Sequence, residues 1–321
     1  FVKPQRARGI VVQLGVSAVN ILLSFVLGCG EYVCLAEGET LDAGLRAPSP
    51  GDVDLSAATT LRHFGLDGVL RLGTVEGAGP YGGRGVDYFE ALAGTEATSS
   101  LEGYLSALST VDPSMLVDSD ERFAYWLNAY NAWALYAVAA KVAEDPQYNV
   151  ESDGWLLFST KFIAVGDLLL SPNDIEHGVL RGWEDQPFGD DDLAAVAAAW
   201  HAELWDGGPP DARLHVGLNC ASASCPDVPP GAFQGERLDE QLDASAAVFL
   251  ANTEKGAGPG GVSTLFSWFA GDFEASFGSV EAFVQAYRDD GDVAYGTYLP
   301  YDWSLNAATA PATGASCASP W

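Results

Sequence analysis

The segment 121–142 constrains the fold more than any other. Phe123, Trp126, Leu127, Tyr130, Ala134, Leu135 and Val138 recur at i, i+3, i+4 and i+7, the period of one face of an α-helix. The spacing predicts a helix from Glu121 to about Val142, with Ser119 or Asp120 as its cap. Asn128, Asn131 and Lys141 interrupt the apolar run, so it does not read as a membrane span. Asn131 falls on the same ridge as Leu127 and Leu135. A buried amide is costly unless its donors and acceptors are met. The expected role for Asn131 is therefore to tie the backbone of a neighbouring loop; a direct role in chemistry competes with it.

Around this helix the pattern alternates between short strands and helices. Helical spacing covers Leu101–Leu108, Leu238–Asn252 and Glu281–Asp289. Pro172–Arg181 reads as a helix with proline in its first turn and Asp174 and Glu176 at its positive end. Asp190–Asp206 reads as an acidic cap followed by an alanine-rich helix. Phe162–Val165, Leu168–Leu170, the alternating Leu214–Leu218 and the edge Gly261–Trp268 read as strands. Helices interleaved with few, short strands predict an α+β fold, a mainly helical single domain with a small antiparallel or mixed sheet.

The N-terminus has a different character. Lys3, Arg6 and Arg8 precede an apolar run from Gly9 to Gly28, the layout of an export leader. The run ends in Val26-Leu27-Gly28-Cys29, which resembles the lipobox of bacterial lipoproteins. The expected organisation is a leader at 1–29, a tether at 30–54, a domain at 55–306 and a tail at 307–321. It implies a lipid on Cys29 and a membrane partner in the cell envelope. An uncleaved anchor or an ordinary signal peptide competes with lipidation. If Cys29 carries lipid, four cysteines remain, and in an oxidising compartment that even count permits Cys220–Cys225 and Cys34–Cys317 bridges, a connectivity that spacing alone does not fix.

The net charge is −29, and the leader contributes bases but no acids. A nucleic-acid partner is excluded, since phosphate binding needs a basic face.

The chemistry-bearing stretch is LHVGLNCASASCP, residues 214–226. It places His215, Asn219, Cys220, Ser222, Ser224 and Cys225 together in a chain with five cysteines and four histidines. Three readings compete. In the first, Cys220 is a thiolate nucleophile, His177 or His215 takes its proton, and Glu176, Asp302 or Asn306 orients that imidazole. No histidine follows His215 in the sequence. A papain-like or transglutaminase-like order of Cys, His and Asp is thus possible only in a permuted arrangement. In the second, His215, Cys220 and Cys225, with His177, bind zinc. In the third, Cys220 and Cys225 form a structural disulfide in a non-catalytic binding or scaffold domain. The remaining histidines read as structural, His63 as filler and His201 as part of the alanine-rich helix.

Several motifs together carry a resemblance: FAYWLNAYNAW at 123–133, NDIEHGVLR at 173–181, RLHVGLNCASASCP at 213–226, LDEQLDASAAVFL at 238–250, LFSWFAGDF at 265–273 and YLPYDWSLN at 298–306. They resemble the DUF547 family, whose function is unknown. The resemblance covers about 86–306, with a longer insert than usual at 182–212. It implies one folded unit with a polar site and names no substrate. The site expected here contains His177, His215, Asn219, Cys220 and Ser222, supported by Asn128, Asn131, Glu176 and Asp302. No cofactor is required unless zinc is bound. The expected activity is thiol-dependent hydrolysis or acyl transfer at amide or peptide-like bonds.

Overall fold

The structure is a computed structural model and describes residues 53–308 except 90–91, 93–94, 184–187 and 289–290; side chains of 95–99 are also outside it. The leader, nearly all of the tether and the tail beyond 308, and with them Cys29, Cys34 and Cys317, lie outside the described residues.

The chain opens with α1 (Phe64–Gly73), which runs into the antiparallel pair β1 (Thr74–Val75) and β2 (Gly85–Val86). Helix α2 (Thr95–Ser109) packs on α1, and α3 (Ser119–Glu144) then crosses the core. The α3 cap is Asp118, one residue earlier than the spacing suggested: its carboxylate accepts the Glu121 N–H at 2.9 Å. Asp120 and Glu121 sit beside it in the first turn, where the helix dipole favours negative charge. Every residue from Phe123 to Val138 is buried, so α3 is covered on all sides and not along one stripe. Ala124, Ala129, Ala132 and Ala137 occupy the other faces and let neighbouring elements approach closely.

A turn, α4 (Leu156–Ser159), leads to the hairpin β3 (Ile163–Val165) and β4 (Leu168–Leu170), both read correctly as strands. The helix expected after Pro172 is wound as a π-helix over Asp174–Leu180, a wider turn that often marks a functional segment. Helix α5 (Asp191–Trp205) starts at Asp190, which caps it through Asp192 and Leu193.

The expected strand at 214–218 is instead the short helix α6 (Leu214–Gly217). Asp211 nucleates this turn: its carbonyl accepts the Leu214 N–H at 3.0 Å and its carboxylate the Arg213 N–H at 2.9 Å. Alternation over five residues was misleading because His215 and Gly217, read as the polar face, are buried with the rest.

Helix α7 (Leu238–Ala251), β5 (Ala257–Gly258), β6 (Gly261–Ser263), α8 (Leu265–Trp268), α9 (Ala270–Phe277), α10 (Val280–Tyr287) and β7 (Tyr298–Leu299) complete the chain. The edge read at 261–268 is therefore a strand that passes into a helix. Strands β5 and β6 pair antiparallel and β6 and β7 parallel, giving a small mixed sheet. The molecule is a mainly helical α+β single domain, as the sequence pattern predicts.

Two apolar cores meet at α6. Leu214 and Leu218 belong to the larger one around α3, and Val216 to a second built from α7 to α10. Among the described residues no helix is long and apolar enough to cross a membrane.

Candidate functional site

Buried amides hold the cysteine loop in place. Asn131 on α3 donates through Nδ2 to the Gly217 carbonyl at 2.8 Å and accepts the Asn219 N–H at 2.8 Å. Asn219 accepts from the Ala221 N–H at 3.0 Å and from Asn306 Nδ2 at 3.1 Å, and donates to the Pro226 carbonyl at 2.7 Å. Tyr88 donates to Asn306 at 2.9 Å. Asn128 makes a reciprocal pair with the Phe233 backbone, at 2.8 and 2.9 Å. Asn131, Asn219 and Asn306 thus position the cysteine loop, and Asn128 fixes the backbone at Phe233.

Ala221 has φ of 64°, in the left-handed region where a Cβ costs about 1–2 kcal/mol. That turn folds Ser222 back onto Cys220. The Ser222 hydroxyl lies 3.2 Å from the Cys220 sulfur. From 222 onward the loop pairs antiparallel with 302–306: Ala223 N–H donates to the Ser304 carbonyl at 2.6 Å and Ser224 N–H to the Asp302 carbonyl at 3.2 Å. This pairing brings the Tyr301 hydroxyl to 3.3 Å from the Cys220 sulfur and 3.0 Å from the Ser222 hydroxyl. Cys225 closes the nest by accepting the Cys220 N–H on its sulfur at 2.9 Å.

These contacts set the charge of the thiol. Burial opposes ionisation of Cys220, but hydrogen bonds from Cys225, Ser222 and Tyr301 outweigh it and lower the group to about 7. Cys225 goes the other way, raised first by burial and then by the neighbouring sulfur. Tyr301 is held protonated, by burial and then by the negative charge of Cys220. Both cysteines are free thiols; Cys220 is half-buried and Cys225 is buried.

The imidazoles form a second cluster. His215 Nε2 lies 2.7 Å from Asp272 Oδ2, and its ring stacks on Phe269 with centroids 3.9 Å apart. Arg181 Nε donates to the same Asp272 oxygen at 2.5 Å, and its Nη1 lies 3.0 Å from His177 Nδ1. Glu176 sits 4.0 Å from His215 Nδ1, an atom with no hydrogen-bond partner among the described residues. Burial depresses both histidines, partly offset at His215 by the hydrogen bond to Asp272. At Asp272 burial is overcome by hydrogen bonds from His215 and Arg181, which hold the carboxyl at about 2. A neutral His215 therefore donates Nε2–H to Asp272 and keeps a basic Nδ1.

His177, Arg181, Trp183, Trp268, Phe269 and Asp272 line a cleft of ≈ 530 Å³. The two clusters meet at consecutive residues. Phe269 carries His215, and Trp268 packs on Tyr301 with centroids 4.6 Å apart. Tyr130 lies between them: burial first, then Glu176, Cys220 and Cys225, keep its phenol protonated.

The structure therefore gathers Cys220, Ser222 and Cys225 in one nest and His177, His215 and Glu176 in an adjoining one. Among the described residues neither imidazole hydrogen-bonds to a thiol, so the expected Cys–His contact is replaced by hydroxyl contacts. Asp302 is not an orienter of either histidine. Its pairing with Ser224 turns it away, and its carboxylate accepts from Tyr81 at 2.8 Å and from the Ser304 N–H at 2.9 Å. The orienting acid is Asp272, which sequence reasoning missed although it is the only acid in LFSWFAGDF. Tyr301 and Arg181 were also missed in these roles. His63 is core filler and His201 is structural, its Nδ1 2.9 Å from the Val179 carbonyl. Among the described residues no group of three His, Cys, Asp or Glu side chains is placed to hold a metal ion.

Residues 114–250 match the family model DUF547, described as "Protein of unknown function, DUF547". The matched segment contains Asn128, Asn131, the π-helix and the whole cysteine loop, and supports the kinship drawn from the motifs. Asp272 and Tyr301 lie beyond it. No curated protein and no solved structure matches the chain.

Proposed function

We propose that the domain is a thiolate-centred enzyme that hydrolyses or transfers acyl groups at amide or peptide-like bonds, with Cys220 as nucleophile. One observation carries this: the half-buried Cys220 sulfur lies 3.2 Å from the Ser222 hydroxyl and 3.3 Å from the Tyr301 hydroxyl, contacts that stabilise its ionised form near neutral pH. The thiolate attacks the acyl carbon, the amine leaves with a proton from the Tyr301 hydroxyl, and the resulting thioester is opened by water or an acceptor, whose own proton replaces the one spent. The Tyr301 hydroxyl donates to the sulfur, and the Ser222 hydroxyl donates to Tyr301 in turn. His215, held by Asp272 with Nδ1 unpaired, is the base for the second nucleophile, and the cleft walled by Trp268 and Arg181 receives substrate.

A second reading, a non-catalytic envelope binding domain, is favoured by the lack of direct contact between imidazole and thiol. An ester reporter separates the two. The reduced full chain is expected to release more than one equivalent of nitrophenol from p-nitrophenyl acetate and to carry a thioester on Cys220. Turnover that survives Cys220→Ala, or no acyl group on Cys220, overturns the enzymatic reading. The location proposed for this activity is the cell envelope, with the chain exported and anchored in the membrane by lipid on Cys29. The basic residues Lys3, Arg6 and Arg8 before the apolar run support it. Palmitate labelling that is lost in Cys29→Ala tests it, and labelling unchanged by that substitution overturns it.

A further inference from the structure

We propose that Cys225 is a resolving thiol, and that Cys220 and Cys225 undergo reversible exchange with low-molecular-weight disulfides, which switches the nucleophile off. The inference deepens the acyl-transfer reading and rests on its nucleophile.

The geometry is that of an attacking and a resolving sulfur. Cys220 is half-buried, whereas Cys225 is 4 % exposed. The left-handed turn at Ala221 and the Cys225 N–H to Ser222 carbonyl bond at 3.1 Å fold the loop back on itself. Cys225 Sγ consequently lies 2.9 Å from the Cys220 backbone nitrogen, and the two thiols sit close enough to shift each other's ionisation. Beneath the loop Lys255 is buried at 3 % exposure; its ammonium donates to the Cys225 carbonyl at 2.8 Å and to Asp227 at 2.6 Å. This buried cation pins the Cys225 backbone and favours the Cys225 thiolate when it forms. The acyl-transfer chemistry uses neither Cys225 as a nucleophile nor Lys255.

The exchange balances without a further redox partner. The Cys220 thiolate attacks one sulfur of the small disulfide, forming a mixed disulfide and expelling a thiolate. Cys225 gives its proton to that thiolate or to solvent. The new Cys225 thiolate attacks the Cys220 sulfur, and the second small thiolate leaves and is protonated. Two protein thiols are oxidised by two electrons, and one disulfide is reduced to two thiols.

The test is incubation of the reduced full chain with oxidised glutathione, followed by acid quench and peptide mass spectrometry. The wild type is expected to show linked Cys220 and Cys225 peptides, complete loss of iodoacetamide labelling at Cys220, and recovery with dithiothreitol. Cys225→Ser is expected to hold a persistent glutathione adduct on Cys220, and Cys220→Ser to take none on Cys225. A wild-type chain that keeps an adduct on Cys220 without bridging overturns the proposal, as does a folded Cys225→Ser chain that takes no adduct. Ester turnover of the reduced chain is measured alongside. Bridging without turnover leaves the exchange standing and removes the acyl-transfer reading; turnover without bridging removes the exchange alone.

Discussion

Replacing Tyr301 with Phe deletes one oxygen and tests the central electrostatic claim. That oxygen lies 3.3 Å from the Cys220 sulfur and 3.0 Å from the Ser222 hydroxyl. The ring itself packs against both Trp268 and Trp303, with centroids 4.6 and 4.5 Å away, and phenylalanine preserves that packing. A hydrogen bond to a charged group contributes about 1.5–3 kcal/mol, and about 1.4 kcal/mol corresponds to one pKa unit. Loss of the Tyr301 bond should therefore raise the thiol by about 1–2 units from its position near 7, toward the ordinary range. At pH 7 the ionised fraction should fall from about half to about a tenth or less. The assay is the pH dependence of iodoacetamide labelling at the Cys220 peptide, with circular dichroism to confirm that the variant is folded. A folded Tyr301→Phe chain whose labelling midpoint stays in place would refute the idea that hydroxyl donors set the thiol's charge.

Other expectations follow from the same contacts. Asn131→Ala leaves the Asn219 N–H and Gly217 carbonyl unpaired in the core and should cost about 2–4 kcal/mol in urea unfolding, with slower labelling of Cys220. Lys255→Met strands the Asp227 carboxylate beside the Cys225 carbonyl and should cost about 3–5 kcal/mol, read by thermal melting. Burial lowers His63 from 6.5 to about 4, so the fold favours its neutral form. Its stabilising contribution is complete above pH 6.5 and is lost as pH falls toward 4, a loss of about 2–3 kcal/mol. His177 and His215 are depressed in the same direction and add to this acid limb. His63→Phe should flatten the limb in a melting-temperature series. Asp272, held at about 2, adds a further loss between about pH 4 and 2, on the order of 1–2 kcal/mol after allowance for its solvent contact.

What could be read from the sequence was set by how local each signal is. The α3 pattern repeats over several turns, so its existence was legible even though its cap was misplaced by a residue. The role of Asn131 was legible because a polar group on an apolar ridge needs a partner, and nearby backbone is the commonest one. Helix α6 was not legible, because five buried residues carry no contrast between faces and the deciding contacts are turn bonds from Asp211, to the Arg213 and Leu214 N–H groups, before the helix starts. The cysteine nest was located by the clustering of rare residues. Its actual neighbours were hidden, since Tyr301 reaches Cys220 across 81 residues and Asp272 reaches His215 across 57. Asp302 drew attention as the acid beside that tyrosine, yet the pleat of the 302–306 pairing points its carboxylate at Tyr81.

The wall formed by α6 has a mechanical consequence. Leu214 and Leu218 face one apolar mass and Val216 the other, so neither mass keeps its lining if the other comes apart. Chemical denaturation should proceed as a single cooperative transition, and dividing the chain near 212 should yield two fragments that are each unable to fold.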